Sequence, residues 1–436
     1  MFLSYYGDDF TGSTDVMESL ALHGVKTVLF TRIPTLQEQA RFAGVDAVGI
    51  AGTSRSQTPE WMDENLPRHF IWLQQLGARF CHYKVCSTFD SAPHAGNIGR
   101  AIEIGRRVFR QQVTPLVVGA PQLRRYTAFG HLFAGYQGQV YRIDRHPVMS
   151  RHPVTPMDEA DLRLHLARQT QLPVDLVPAN ALNDPTVDQV IDAAKGIVLF
   201  DVFDKATQLE VGRQVLRMSG RVGPFIAGSS GVNYALVKAL AAAGEIPGTA
   251  SFPALPRVER TIAVSGSCSP TTARQIRHAL AHGFTGLHAD PLDLARMPDA
   301  AVAHLSSEAK RLMGEGRSVL VYTALDPESD RGGALDAIPG GRHRVGQGLG
   351  RIARACIEEF GLRRAILAGG DTSSHALGEL DILALTTRFP LLATPGSPLC
   401  TAASSDARLD GIEIAMKGGQ LGGGDYFVAL RDGLAS

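Results

Sequence analysis

The stretch Phe2-Leu3-Ser4-Tyr5-Tyr6-Gly7-Asp8-Asp9-Phe10-Thr11-Gly12 decides how the rest of the chain is read. A short apolar run, Phe2–Tyr6, stops at a glycine. Two adjacent carboxylates and a second glycine follow, and a helix is expected from Ser13 or Thr14. Strand, tight turn and helix open an α/β unit, and open α/β sheets bind ligands at the carboxyl ends of their strands. Asp8 and Asp9 are therefore candidates to accept a hydroxyl proton or to hydrogen-bond that hydroxyl. One aspartate could equally cap the helix, but capping needs only one.

The same rhythm recurs. Short apolar runs lie at Val25–Phe30, Ala47–Ile50, Pro115–Val118, Gly196–Phe200 and Pro224–Ala227, then at Thr261–Val264, Ser318–Tyr322, Ala365–Ala368 and Pro390–Ala393. Many are followed by helical spacing, as in Leu162 and Leu166 or Thr272–Leu280. Such runs read as buried parallel strands, so the expected fold class is α/β, with mainly parallel sheets flanked by helices. A chain of 436 residues exceeds what one core usually supports. The Ala-, Pro- and Gly-rich stretch Ala241–Arg257 reads as a linker, giving one expected domain over 1–245 and another over 258–436. Arg331–Arg344 reads as a loop, and Gly346-Gln-Gly348-Leu-Gly350 as the flexible opening of a helix.

Composition removes several function classes. There are 43 Lys plus Arg against 43 Asp plus Glu, so no global field gathers nucleic acid or an anionic membrane. Five scattered cysteines with no CxxC pair suit reduced thiols in a cytoplasmic protein. The amino-terminal residues lack a secretory pattern, and no apolar run has membrane-spanning length. The Walker phosphate loop, the protein-kinase motifs, HExxH and GxSxG are absent. The His-containing stretch Arg145–His152 reads as a loop, and no set of metal-ligating residues is expected.

Further segments carry chemistry. Thr53-Ser54-Arg55 ends one strand, and Arg55 could clamp a carboxylate through paired hydrogen bonds. Tyr83–Ser91 offers Lys84 as a mobile point charge, with the hydroxyls of Ser87 and Thr88. Cys86 has no evident base beside it and reads as a small packing residue. In the second half, Ser265-Gly266-Ser267-Cys268-Ser269-Pro270 joins a strand to a helix, where backbone N–H groups and the helix dipole favour phosphate. Gly369-Gly370-Asp371-Thr372 repeats that design, and Lys417–Asp425, with Gly418 and Gly419, is a third glycine-dense turn. Three such turns point to nucleotide phosphates.

Taken in order, these segments resemble the four-carbon acid sugar kinase family. The carriers are GDDFTG, Thr53–Arg55, Tyr83–Ser91, Gly119–Pro121, Ala227–Gly231, Ser265–Thr272, Ala368–Ser373, Thr394–Cys400 and Lys417–Gly419, spread over nearly the whole chain. The resemblance implies a sugar-acid-binding amino-terminal domain, an ATP-binding carboxyl-terminal domain, Mg²⁺ with the phosphates, and phosphorylation of a terminal hydroxyl of a small acid sugar. It implies that Asp8, Asp9, Arg55 and Lys84 serve the sugar, and Ser87, Thr88 and Asp90 are further candidates to bind it. Asp9 is the first candidate to orient or deprotonate the hydroxyl and Asp8 the second. Ser265, Ser267, the Gly369–Thr372 turn, Gly418 and Gly419 would hold ATP, and closure of an interdomain cleft would bring the ligands together. The family more usually reads K-[IV]-D-S-T-x-R-G at the second motif. Here Cys86, Asp90 and Ser91 replace its Asp, Arg and Gly. Putting Asp90 where a guanidinium is usual reverses the local charge and points to an altered acid, such as the branched 3-oxo-isoapionate. The expected partners are this acid and ATP, without nucleic acid or membrane, in a chain able to form a homo-oligomer. A non-catalytic sugar-acid-binding protein and a dehydrogenase are the rival readings, the latter weakened by the missing GxGxxG fingerprint.

Overall fold

The computed structural model describes residues 1–152, 154–325 and 331–434, and for Asp371 the backbone alone. The chain divides into two compact units, Met1–Ala250 and Ser251–Ser436, at a point inside Ala241–Arg257. The first residues of that stretch close the helix Gly231–Ala242.

The first unit is built on eight strands: β1 (Leu3–Gly7), β2 (Thr27–Phe30), β3 (Ala47–Ala51), β4 (Phe80–Lys84), β5 (Thr114–Val117), β9 (Val174–Val177), β10 (Ile197–Phe200) and β11 (Phe225–Gly228). They lie in the order β2-β3-β1-β4-β11-β5-β10-β9, and every pairing is parallel. Strands β6 (Arg125–Ala128), β7 (His131–Tyr136) and β8 (Gln139–Arg142) form a separate antiparallel sheet inserted after β5. Parallel strands need both faces covered, and the sequence complies: β1, β3, β4, β10 and β11 are buried throughout. On one face Tyr6 and Tyr83 stack at 6.1 Å, with Phe70 edge-on to both. Met62, Leu66 and Phe70 of helix Pro59–Gln75 and Ile98 and Ile102 of helix Ile98–Phe109 seal this face. Burying each such side chain stabilises the fold by about 1.5–3 kcal/mol. Gly49 leaves room for the Tyr5 ring, which an added Cβ would meet at 2.1 Å.

The second unit contains β12 (Ile262–Ser265), β13 (Phe284–His288), β14 (Ser318–Tyr322), β15 (Arg364–Ala368), β16 (Ile382–Phe389), β17 (Leu399–Ser404) and β18 (Glu413–Lys417). Their order is β13-β14-β12-β15-β18-β17-β16; the first five run parallel, and β17 pairs antiparallel with both β18 and β16.

Both units are α/β, with mainly parallel sheets and flanking helices. Eight of the nine apolar runs coincide with parallel strands. Pro390–Ala393 does not: β16 ends at Phe389 and the chain enters a turn, because Pro390 supplies no N–H to a ladder. Arg331–Arg344 is likewise not a simple loop. It contains the short helix Gly332–Asp336, and helix Gly341–Phe360 begins within it. Gly346, Gly348 and Gly350 lie inside that helix, where added Cβ atoms would stand 2.5–2.8 Å from His375, Leu294 and Ala376. Their role is close helix packing.

Strand order sets the sites. In the first unit the chain leaves β1 toward β2 and β3 on one side, then crosses to β4 on the other. In the second it leaves β12 toward β13 and β14, then crosses to β15. A crevice opens at the carboxyl ends of the strands at each reversal.

Candidate active site

At the first reversal, backbone hydrogen bonds lock three strand ends together. Asp8 N donates to Lys84 O at 2.9 Å, Arg55 N to Asp8 O at 3.0 Å and Gly52 N to Gly7 O at 2.9 Å. Asp8, Arg55 and Lys84, far apart in sequence, are thereby neighbours.

The two adjacent carboxylates have different surroundings. Asp9 is the N-cap of helix Phe10–Leu22, which starts earlier than the Ser13 or Thr14 that the sequence suggests. Its Oδ1 accepts from Gly12 N at 2.8 Å, and its Oδ2 accepts from Arg55 Nη1 at 3.2 Å. Asp8 is 4% exposed and its Oδ1 has no hydrogen-bond partner. Burial, reinforced by the Asp9 charge and opposed by Lys84 and Arg55, pushes its carboxyl up to about 7.

Lys84 is buried, 2% exposed, and so is not the mobile charge the sequence suggests. Its ammonium lies over Gly12, where an added Cβ would meet Nζ at 2.2 Å and Asp9 Oδ1 at 2.3 Å. Asp15 also feels the Lys84 charge. Burial raises the Asp15 carboxyl, while bonds from Ser230 Oγ and Tyr234 OH act against that rise. Asp15 escapes sequence reading because it sits one helical turn inside an otherwise ordinary helix.

The altered second motif folds into a tight turn in which Phe89, fully buried, takes φ 57°, a left-handed conformation that only surrounding packing can hold. Asp90 is buried and forms an ion pair with Arg55 at 2.7 Å. Burial alone would raise the Asp90 carboxyl, but Arg55 and the Thr88 hydroxyl, 2.5 Å from Oδ1, hold it below its ordinary value. Behind it, Ser91 Oγ, His165 Nε2 and Gln169 Nε2 form a closed buried network at 2.9–3.0 Å, and Gln169 Oε1 accepts from Ile98 N at 2.8 Å. Burial pushes His165 down to about 4. Ser87 is half-buried beside this turn. Cys86 lies 3.0 Å from Thr88 Oγ1, and burial raises its thiol, which suits packing better than nucleophilic attack.

At the second reversal the three glycine turns interlock. Gly266 N donates to Ala368 O at 3.1 Å and Gly369 N to Lys417 O at 2.9 Å. Ser269 caps helix Pro270–Ala281 through Thr272 N and also reaches Gly419 O, while Thr272 Oγ1 donates to Gly419 O at 2.9 Å. An added Cβ at Gly266 would stand 2.3 Å from Thr372 Oγ1, and one at Gly419 would stand 2.7 Å from Ser267 Oγ. These two glycines let the turns approach one another. Gly370, with nothing within 4 Å of an added Cβ, faces open space, as a ligand-approaching glycine would. Ser265 ends β12, and Ser267, Gly369, Gly370 and Thr372 line one cavity, with Arg331 and Arg342 on its wall. Gly418 sits beside Lys417, and the Asp371 side chain lies outside the described residues.

Lys417 completes this corner. It is fully buried, donates to Thr272 Oγ1 at 2.9 Å and Gly418 O at 3.0 Å, and lies 5.8 Å from the Tyr426 ring centroid. Burial pushes its ammonium down to about 8. The KGG motif contains this lysine, but sequence alone gave its glycines the site role. Another cavity, lined by Phe2, Asp46, Arg79 and Pro247, lies by the amino ends of β1, β3 and β4, away from these residues.

Family models match both units. A sugar-binding N-terminal domain model matches residues 3–236, and a nucleotide-binding C-terminal domain model matches residues 262–427. The chain is 45% identical to a 3-oxo-isoapionate kinase of Paraburkholderia graminis, over 99% of this chain and 94% of that protein. It belongs to the four-carbon acid sugar kinase family. A 3-oxo-tetronate kinase of Cupriavidus necator is 30% identical, over 98% of this acid sugar kinase and 96% of its relative. Crystal structures of proteins from Salmonella typhimurium LT2 and Haemophilus influenzae share its fold, with TM-scores of 0.77 and 0.73, each at 22% identity. The first alignment covers 98% of both chains; the second covers 98% of this chain and 99% of the other. The named relatives are enzymes, and none favours a non-catalytic binding protein. Among the described residues, no helix of this acid sugar kinase is long and apolar enough to cross a membrane.

Proposed function

We propose that this ATP-dependent acid sugar kinase acts on a branched 3-oxo sugar acid of the 3-oxo-isoapionate type, at a terminal hydroxyl. The observation that carries the choice of acid is the full-length 45% identity to a kinase named for it. The Asp90–Arg55 pair supports it, since it changes the charge of the sugar site.

Phosphoryl transfer asks a protein for positioning and charge stabilisation. In this reading Asp8 takes the hydroxyl proton. Its buried, unpartnered Oδ1 and raised pKa suit a base near neutral pH, whereas both oxygens of Asp9 are already engaged. Asp9 then fixes the helix start and Arg55, and Lys84 supplies positive charge beside the acceptor. Thr88 and Ser87 offer hydroxyls to the sugar. In the second unit, Ser265, Ser267, Gly369, Gly370, Thr372, Gly418 and Gly419 shape a phosphate cradle, with Lys417 as its buried cation. Among the described residues no group of three or more His, Cys, Asp or Glu could hold a metal ion. In this reading Mg²⁺ would accompany the ATP phosphates and would neutralise their charge.

The test is a panel of four-carbon and branched 3-oxo sugar acids incubated with ATP and Mg²⁺, read by mass of the phosphorylated product. The branched 3-oxo acid should give the highest kcat/KM. Preference for a linear acid would overturn the substrate assignment, and no product from any acid would overturn the activity.

A further inference from the structure

We infer that Arg125, at the start of β6, holds the substrate carboxylate. The inference rests on the acid sugar reading above and names the group that recognises the acid.

Three observations carry it. The first is position. Arg125 forms a backbone bridge with Ala120, its N–H donating at 3.1 Å and its carbonyl accepting at 2.9 Å. Ala120 follows closely on the carboxyl end of β5, so the inserted antiparallel sheet delivers Arg125 to the sheet edge that carries Asp8, Arg55 and Lys84. Although burial opposes its charge, the side chain lies near enough to Cys86 and Asp90 to interact with both, which places it at the altered second motif.

The second is an uncommitted donor edge. Arg125 Nη1 is used on backbone: it donates to Leu123 O at 3.0 Å, Arg124 O at 3.3 Å and Gly135 O at 3.4 Å. Those bonds fix the plane of the guanidinium. Nε is buried without a partner, and no carboxylate pairs with Arg125 among the described residues. A buried donor without a partner is costly, and a guanidinium whose Nε is unpaired while its Nη1 is pinned to backbone carries a hydrogen-bonding demand that a carboxylate would meet.

The third is elimination within the site. Arg55 already serves Asp9 and Asp90. Lys84 is a point charge facing Asp8 and Asp15, without the planar fork that matches a carboxylate. Of these three cations, Arg125 is the guanidinium that makes no ion pair with a carboxylate of the described residues, and it reaches the site from a different element than the motif residues.

Arg125→Met and Arg125→Lys test this. Both should keep the KM for ATP within twofold, showing a folded enzyme. The KM for the sugar acid should rise about 10- to 100-fold in Arg125→Met, the range expected on losing a charged hydrogen bond, and less in Arg125→Lys. Wild type should prefer the acid over its primary amide, and Arg125→Met should lose that preference, which a merely structural arginine would not cause. Calorimetric titration of the acid without ATP keeps the two readings apart. Wild type that binds the acid but never phosphorylates it overturns the kinase reading. Unchanged affinity and an unchanged acid-to-amide ratio in Arg125→Met overturn the Arg125 assignment, and wild type that binds no acid overturns both.

Discussion

Arg55 gives both Nε and Nη2 to a single oxygen of Asp90, at 3.2 and 2.7 Å, and its remaining Nη1 to Asp9 at 3.2 Å. The guanidinium thus spans the first and second motifs, and Asp90, fully buried at its side chain, depends on it for compensation. A carboxylate where the family more usually carries a guanidinium has become part of the framework of the site.

Removing Arg55 strands that buried charge. Arg55→Met should lower unfolding free energy by about 2–3 kcal/mol, toward the lower end for a buried pair because Arg55 is 30% exposed and partly screened. Arg55→Met with Asp90→Asn should recover most of the loss. Urea denaturation of the three proteins measures this, and a single variant as stable as wild type would show the pair to be idle.

The Asp8 carboxyl sets the expected pH dependence of turnover. Only its deprotonated form can accept a proton, so kcat should climb as pH rises through about 7. Asp8→Asn should lose at least about 100-fold in kcat and the climb with it. Asp9→Asn, by contrast, should act mainly through KM. A pH–rate series on the three proteins decides, and wild-type-like turnover in Asp8→Asn would remove Asp8 from the base role.

The same carboxyl affects stability. Its folded value, about 7, stands above the ordinary 3.8, so the folded state binds the proton more tightly. Whatever this contributes is fully present below about pH 4 and is lost as pH rises to about 7. Asp8→Asn should therefore match wild type in acid and gain thermal stability progressively between those limits, levelling off above 7. Melting temperatures across pH 4–9 check it; a constant offset would contradict the raised value.

Gly12 tests the geometry around Lys84. Its backbone is helical, so an alanine side chain there would be neutral or favourable for the helix itself. The added Cβ would nevertheless collide with Lys84 Nζ and Asp9 Oδ1. Gly12→Ala should raise the KM for the sugar acid about tenfold or more while leaving the KM for ATP unchanged. Unaltered kinetics for both substrates would mean that Lys84 moves aside at no cost to binding.

Lys417 gives the corresponding prediction for the second unit. Loss of a buried cation from a phosphate cradle should weaken ATP about 10- to 100-fold in Lys417→Met, without changing affinity for the acid. Since burial holds its ammonium near 8, ATP binding to wild type should weaken as pH passes through that value, and the variant should lack this step. Calorimetric titration with ATP over pH 7–9 reads both effects.

The local pattern by itself determined the α/β class, most strands of the parallel sheets, though not β9, β13 or β18, and the ordered turns at strand ends. Apolar runs, glycine turns and helix caps act over a few residues, so adjacent sequence is enough to specify them. The turn at Pro390, the packing of Gly346, Gly348 and Gly350 inside a helix, the burial of Lys84 and the buried, unpaired Nε of Arg125 were decided only by tertiary structure. Each depends on what a distant segment places alongside. Asp8 and Asp9 make the same point: adjacent and chemically identical, they differ because packing leaves one with a buried Oδ1 that has no hydrogen bond and gives the other a helix start and Arg55.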